Sequence, residues 1–415
     1  MKRWPALRAY YLYEGGLSFA WAVSFTVVAV YFVRTVGMTP LQLVLVGTVM
    51  EGAIFLFEVP TGVVADTFGR RLSVVIGLLV QGAGMIIVGL LASFPAILAA
   101  YALWGVGWTF QNGSLEAWIT DELGQENLGG TFARGQRAEY AGALGGLAVS
   151  VALASWSLPM AVSAGGILTA AVGIVLALVM PETGFRPRRR EAGSPVGTAR
   201  RGARLVRGHP LLLLLLLAVL FAGASSEGFD RLFEAHFLRD IGLPALGGLD
   251  PVVWFGIFRV GSIALGLLAS LYLVRRLERA GSEGIARTLA GATAVTLAGL
   301  LVFGFAAGFA VALAAYWTTR LGRSLVYPLY MTWLNRTIED SSVRATVISM
   351  TGQADAVGQI AVGPGVGAVG SLVSIRAALV AAAALLVPTL GLYSRAGVAG
   401  GAEPEVAEAD APASV

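Results

Sequence analysis

The chain has no cysteine, which excludes disulfide frameworks, thiolate metal sites and cysteine nucleophiles. Histidine occurs only at His209 and His236, too few for a metal centre. Lysine occurs once, at Lys2, and no phosphate-binding glycine loop carries a lysine, so nucleotide hydrolysis has no seat. Charge of either sign is scarce: 13% of residues are charged against 56% hydrophobic, with a mean hydropathy of +0.76. That balance excludes an ordinary water-soluble domain.

What the sequence does have is long apolar runs. Stretches such as 72–92, 159–180 and 375–394 have the roughly twenty residues a helix needs to cross a hydrocarbon core about 30 Å thick. A transmembrane barrel would show short alternating segments instead. The pattern predicts an all-α membrane protein with twelve helices near 9–33, 40–61, 72–92, 95–117, 136–155, 159–180, 210–237, 250–273, 285–306, 309–333, 345–371 and 375–394. The first stretch is too long for a signal-peptide core and lacks a small-residue cleavage site, so it reads as a span.

The polar stretch 182–209 divides the helices six and six. The expected organisation is an amino-terminal six-helix bundle over 1–181, a basic linker over 182–209, a carboxy-terminal bundle over 210–394 and a disordered tail over 395–415. Of the 29 basic residues, 22 fall at the amino terminus, at 70–71, 134–137, 186–207 and 275–287, or at Arg336, Arg344 and Arg395. The opposite loops hold three, Arg34, Arg239 and Arg376. Positive charge stays inside, so both termini are expected in the cytoplasm. The linker arginines read as a topology signal on the inner leaflet, with an anionic lipid or protein partner as the alternative.

A charge in hydrocarbon is costly, so ionisable residues within spans mark protein-lined or watered places. They occur as Glu14, Glu51, Glu58, Glu116, Glu139, Glu227, Asp230, Arg231, Glu234, Arg259, Arg320, Arg323 and Asp355, while the third, sixth, ninth and twelfth helices carry essentially none. Those four are expected to face lipid. The halves also echo each other. Ala138-Glu139-Tyr140-Ala141-Gly142 aligns with Ala354-Asp355-Ala356-Val357-Gly358 at an offset of 216, and Trp118 with Trp333 at 215, as in duplicated transporters.

Between the second and third helices runs Gly62-Val63-Val64-Ala65-Asp66-Thr67-Phe68-Gly69-Arg70-Arg71. Its glycines let helix ends approach, Asp66 suits a helix N-terminus, and the arginines suit carboxylates across the bundle. This G-x-x-x-D-x-x-G-R-R loop resembles the signature loop of the major facilitator superfamily. Glu58-Val59-Pro60-Thr61 and Met180-Pro181-Glu182-Thr183 are similar to its bacterial drug-exporter-like members.

The resemblance spans about residues 9–394 and implies two six-helix bundles, a cavity lined mainly by the first, fourth, seventh and tenth helices, and alternating access. It implies a conformational gate of Gly62, Asp66, Gly69, Arg70 and Arg71, with Asp121, Glu122, Arg134 and Arg137 as partners. Two departures stand out. The fourth helix lacks the usual arginine of drug–proton antiporters, and Gly363-Pro364-Gly365-Val366-Gly367 falls in the eleventh helix instead of the fifth.

The candidate substrate and proton-coupling residues are Glu14, Glu51, Gln111, Asn112, Glu227, Asp230, Arg259, Arg320 and Asp355, with Gln353 and Gln359 as further polar groups. A structural ion-pair role is the alternative for each acid. Trp21, Trp104, Trp108, Phe110, Trp317 and Tyr327 would offer an aromatic wall, or anchor the spans at the interfaces. The expected function is secondary active transport in a prokaryotic cytoplasmic membrane, as proton-coupled efflux of a drug-like or metabolite molecule. The alternatives are an uptake symporter or facilitator and, outside transport, a membrane-embedded enzyme or scaffold. The expected partners are a small-molecule substrate, protons and lipid. No cofactor, metal or nucleic acid is expected, and the chain is expected to be monomeric.

Overall fold

The structure is a computed structural model that describes residues 3–124, 128–186, 206, 208–245, 249–277, 281–338 and 341–402. Among them twelve long helices follow one another without a strand. Helix α1, Ala6–Val36, ends in a π-helical turn over Tyr31–Val36 and stops at Gly37, whose φ of 72° a side chain would disfavour. Thr39 then caps α2, Pro40–Phe68, in a capping box with Gln42. Gly69, at φ 120°, turns the chain into α3, Arg70–Leu90.

Helix α4, Phe94–Gln111, is shorter than the expected 95–117. Gly113 at φ 72° breaks it, and Glu116 and Trp118 belong instead to a short helix, Ser114–Leu123. Helices α5, Leu128–Ala154, and α6, Leu158–Val179, complete the first bundle. Because α5 starts early, Arg134 and Arg137 lie on a helix and not in a loop.

The second bundle runs α7, Pro210–Ile241; α8, Pro251–Leu277; α9, Ser282–Phe305; α10, Phe309–Thr337; α11, Ser341–Leu372; and α12, Ile375–Ala402. Helix α12 continues eight residues past the expected 394, so the tail expected from 395 starts no earlier than 403. Most of the expected linker, and the whole tail beyond Ala402, lie outside the described residues.

The bundles pack alike. Helix α1 lies on α5 and α6, as α7 lies on α11 and α12; α3 lies on α4 and α6, as α9 lies on α10 and α12. Gly142 shows why the α1–α5 crossing is close: a Cβ there would stand 2.1 Å from the Gly15 carbonyl oxygen. Its repeat partner Gly358 would meet the Leu220 oxygen at 2.1 Å in the α7–α11 crossing. Small residues at helix crossings are the expected device where lipid supplies no hydrophobic drive.

Among the described residues, eight helices combine the length and apolarity of a span; the four that fall short are α4, α5, α10 and α11. Helices α10 and α11 hold Arg320, Arg323 and Asp355, so their deficit marks polar surface kept from lipid.

The end at which α2 starts is called the far end, and the end holding Gly62–Arg71 the motif end. At the far end one apolar core spans both bundles, uniting Tyr31, Leu43, Val44 and Tyr101 with Phe229, Phe237, Phe258 and Leu379. At the motif end there are two separate cores, one around Tyr13, Val74 and Trp118 and one around Leu215, Leu289 and Trp333. The bundles are therefore joined at the far end and parted toward the motif end.

Candidate functional site

The far-end seam is built by α2 and α11. Along α11, Gly367 and Gly370 face Val44 and Pro40, where added Cβ atoms would stand 3.0 and 2.9 Å away. The Leu41 N–H donates to Ser371 Oγ at 2.8 Å, and Arg239 Nη2 donates to the Met38 carbonyl at 2.6 Å. The equivalent seam between α5 and α8 holds an apolar lateral groove lined by Leu147, Val151, Gly256 and Trp317.

Above the α2–α11 seam, toward the motif end, lies a cavity of about 870 Å³. Three of its seven charged residues come from α7, where Glu227, Asp230 and Arg231 lie within about one turn. Glu227 is buried and accepts from Arg231 Nε at 3.3 Å and Nη2 at 3.4 Å. Asp230 accepts from Arg323 of α10 at 2.7 Å on each oxygen, a bidentate pair of the fork geometry. Arg320 approaches the same carboxylate at 3.5 Å.

Glu58 joins three helices. It accepts from Asn112 Nδ2 at the end of α4, at 3.2 Å, and from Gln353 Nε2 of α11, at 2.6 Å. Asp355 accepts from Gln359 at 2.7 Å. Glu51 lines the same space near Arg231, Glu227, Asp355 and Glu58, and makes no hydrogen bond or ion pair among the described residues.

Of the sequence-chosen candidates, Glu51, Asn112, Glu227, Asp230 and Asp355 converge on this cavity. Others do not. Gln111 turns into the first bundle, accepting from Tyr13 Oη and donating to Gln81, both at 2.8 Å. Glu14 lies near Tyr10, Glu116 and Glu139. Arg259 lies near Glu139 and Arg320 instead of in the cavity wall, and Arg320 reaches it only through Asp230. Trp21, Trp104 and Trp108 pack on one another at ring separations of 5.5–6.0 Å. Trp317 donates to the Phe258 carbonyl beside the lateral groove. Only Tyr327 of the expected aromatic wall lines the cavity.

The expectation that the ninth and twelfth helices face only lipid is corrected. Thr293 and Thr296 of α9 and Thr389 and Tyr393 of α12 reach the cavity wall, so the space extends into the second bundle. Arg323 was among the intramembrane bases expected from the sequence to oppose the acids or hold an anionic substrate, and it does line the cavity; the hydroxyl residues were not singled out as cavity groups. Threonines repeated within otherwise apolar spans were the available signal, weak because a threonine can also bond its own helix, as Thr296 does to the Ala292 carbonyl.

At the motif end, Arg70 Nη1 pairs with Asp121 at 2.9 Å. The Arg71 N–H donates to Glu182 at 2.9 Å, and its guanidinium to the Ala177 carbonyl. Glu122 accepts from Thr183 Oγ1 and the Gly184 N–H, both at 2.7 Å, and Trp118 Nε1 donates to the Pro181 carbonyl at 2.7 Å. These contacts tie the first bundle to itself and to the start of the linker, and none reaches the second bundle. Asp66 has no ion pair among the described residues, Gly62 has open space around it, and Arg134 bonds the Gly130 carbonyl of its own helix. The expected partnership of Arg134 with the loop is not formed.

Residues 15–363 match the Major Facilitator Superfamily. The chain belongs to that superfamily. It is therefore a multi-pass membrane transporter. No curated sequence relative matches. Solved structures of the same superfamily-like fold include the nucleoside transporter NupG, at 14% identity and a TM-score of 0.76, covering 95% of this chain and 99% of that one. The peptide transporter POT in complex with sulfate has 14% identity and a TM-score of 0.75, covering 95% of each. A bacterial homolog of the human lysosomal transporter Spinster, inward-facing and occupied, has 15% identity and a TM-score of 0.71, covering 95% and 96%. At such identities the likeness is one of fold.

Proposed function

We propose that this superfamily member is a secondary active transporter that exports a drug-like or metabolite molecule in exchange for protons, by alternating access about the central cavity. The observation that carries this reading is the contrast between ends: one core shared by both bundles at the far end, two cores at the motif end, and a charged cavity between. A rocking motion needs such a seam, able to trade contacts at one end for contacts at the other.

We take the membrane to be a prokaryotic cell membrane, and the bias of basic residues supports a motif end and both termini on its cytoplasmic side. The conformation is then inward-open. Cytoplasmic partners for Asp66, Arg70 and Arg71 across the bundles belong to the opposite state. Glu51, Glu58, Glu227 and Asp355 are the carboxylates available for protons. Uptake driven by the same gradient is the second reading.

The test is flux in liposomes carrying an internal pH dye, challenged with a compound panel under an imposed pH gradient. Compound-dependent proton movement that weakens in Glu51→Gln or Glu227→Gln supports exchange, and its sign gives the direction. Compound flux without proton movement contradicts proton coupling.

A further inference from the structure

We propose that the lateral groove between α5 and α8 holds one acyl chain of a phospholipid from the far-end leaflet, as a fixed part of that seam. The inference goes beyond the transport reading and does not depend on it. The two far-end seams are equivalent by the internal repeat, yet they are built differently. Protein closes the α2–α11 seam, with Gly367 and Gly370 against Val44 and Pro40 and the Leu41 N–H on Ser371. Across the α5–α8 seam, Gly256 packs on Leu147, where an added Cβ would stand 2.9 Å from Cδ1. Beside that contact the helices part around a groove of about 450 Å³.

Depth decides what can enter. The lining residues of α8 run from Val253 to Gly261, two to ten residues from its start at Pro251, and those of α5, Leu147 and Val151, lie within seven of its end at Ala154. At a rise of about 1.5 Å per residue the groove covers roughly the outermost 15 Å of a hydrocarbon core about 30 Å thick, one leaflet's share. Its mouth opens sideways, since Ile257 and Val260 are each 41% exposed. A partner arriving there comes out of hydrocarbon.

The wall suits that partner alone. Every lining side chain is apolar save the Trp317 indole, whose N–H already donates to the Phe258 carbonyl at 3.2 Å. Water would find no partner on it, whereas a methylene chain gains the dispersion contacts that apolar walls offer. Gly261 shapes this surface: a Cβ there would lie 2.7 Å from the Trp317 ring, so the glycine lets the indole rest on the α8 backbone. Toward the motif end the same seam turns polar, with Glu139 of α5 in electrostatic reach of Arg259 of α8. A chain can enter from the far-end leaflet but not run on past those charges. Any parting of the bundles at the far end then displaces it.

The test is photolabelling of the full chain in nanodiscs of phosphatidylcholine carrying a diazirine on one acyl chain, with adducts mapped by mass spectrometry. Leu147 and Val151 are half-buried, while Ile167 and Ile174 of α6 are more than half exposed. Exposure alone would label α6 more heavily. A resident chain, in a bilayer where lipid far exceeds any dissociation constant, should instead label Leu147 and Val151 at least about three-fold more than the α6 pair. A diazirine near the headgroup should favour Val253, and one at the chain end Val260. Gly256→Leu, which fills the groove, should bring Leu147 and Val151 down to the α6 yield or below; should it not fold, Val260→Phe at the exposed mouth serves instead. Labelling that merely follows exposure, undiminished labelling in the filled groove, or a reversed order along α8 overturns the proposal. So does a groove yield in the unaltered chain far below that of α6, which would mean that a second protein surface covers it.

Discussion

Arg231 of α7 lies against Gly47 of α2 so closely that a Cβ at position 47 would stand 2.2 Å from its Nε and 2.5 Å from the Glu227 carboxylate. The glycine is what lets a charged pair of the second bundle dock on the first. Overfilling a packed seam costs about 1–3 kcal/mol, enough to shift a conformational equilibrium roughly five- to hundred-fold. Gly47→Leu is therefore expected to loosen the far end. A Val44→Cys reporter, at a position fully buried in the seam, should react with an impermeant maleimide at least about five-fold faster in that background. Unchanged labelling would mean that the seam does not depend on this contact.

The repeated glycines make a second prediction. Alanine at Gly142 or Gly358 meets a backbone oxygen at the same 2.1 Å, so each should lower stability by a similar amount, about 1–3 kcal/mol. Gly52→Ala, with nothing within 4 Å, serves as the control and should be neutral or slightly stabilising. Thermal unfolding in detergent reads all three.

Asp230 and Arg323 should be coupled. Their side chains are about one-third exposed, so the pair is worth less than a fully buried one, and a double-mutant cycle with Asp230→Asn and Arg323→Gln is expected to return roughly 0.5–3 kcal/mol. Additive single effects would show that Arg320 replaces Arg323 without loss.

At the motif end, Gly69→Ala adds strain at φ 120° and brings a Cβ to 2.9 Å from Glu182. It should lower stability by about 1–3 kcal/mol, whereas Arg70→Ala, which removes a partly exposed pair, should cost under about 1 kcal/mol, both read by thermal unfolding. Equal effects on stability would place Gly69 among ordinary turn residues.

Much of this was legible in the sequence because the bilayer imposes it: apolar length located all twelve helices, eight of them within four residues at both ends, and the loop from Gly62 to Arg71 pointed to the family. Boundaries failed where a single backbone angle decided them. Gly113 ends α4 before Trp118, and no hydropathy pattern registers a left-handed glycine inside an apolar run. Burdened residues such as Glu227 and Asp230 were found because charge in a span is conspicuous. Gln111 was placed in the cavity because its polarity, not its direction, is readable; it faces Tyr13 and Gln81. Thr389 was missed because a threonine in an apolar helix carries no sign of whether its hydroxyl is used.

The absence of cysteine makes the decisive measurement clean. Cysteines placed at Leu41 and Ser371, adjacent across the far-end seam, can be cross-linked in proteoliposomes while substrate flux is followed. If the bundles rock about the central cavity, cross-linking stops flux and reduction restores it. Undiminished flux with the far end locked would contradict alternating access through this seam.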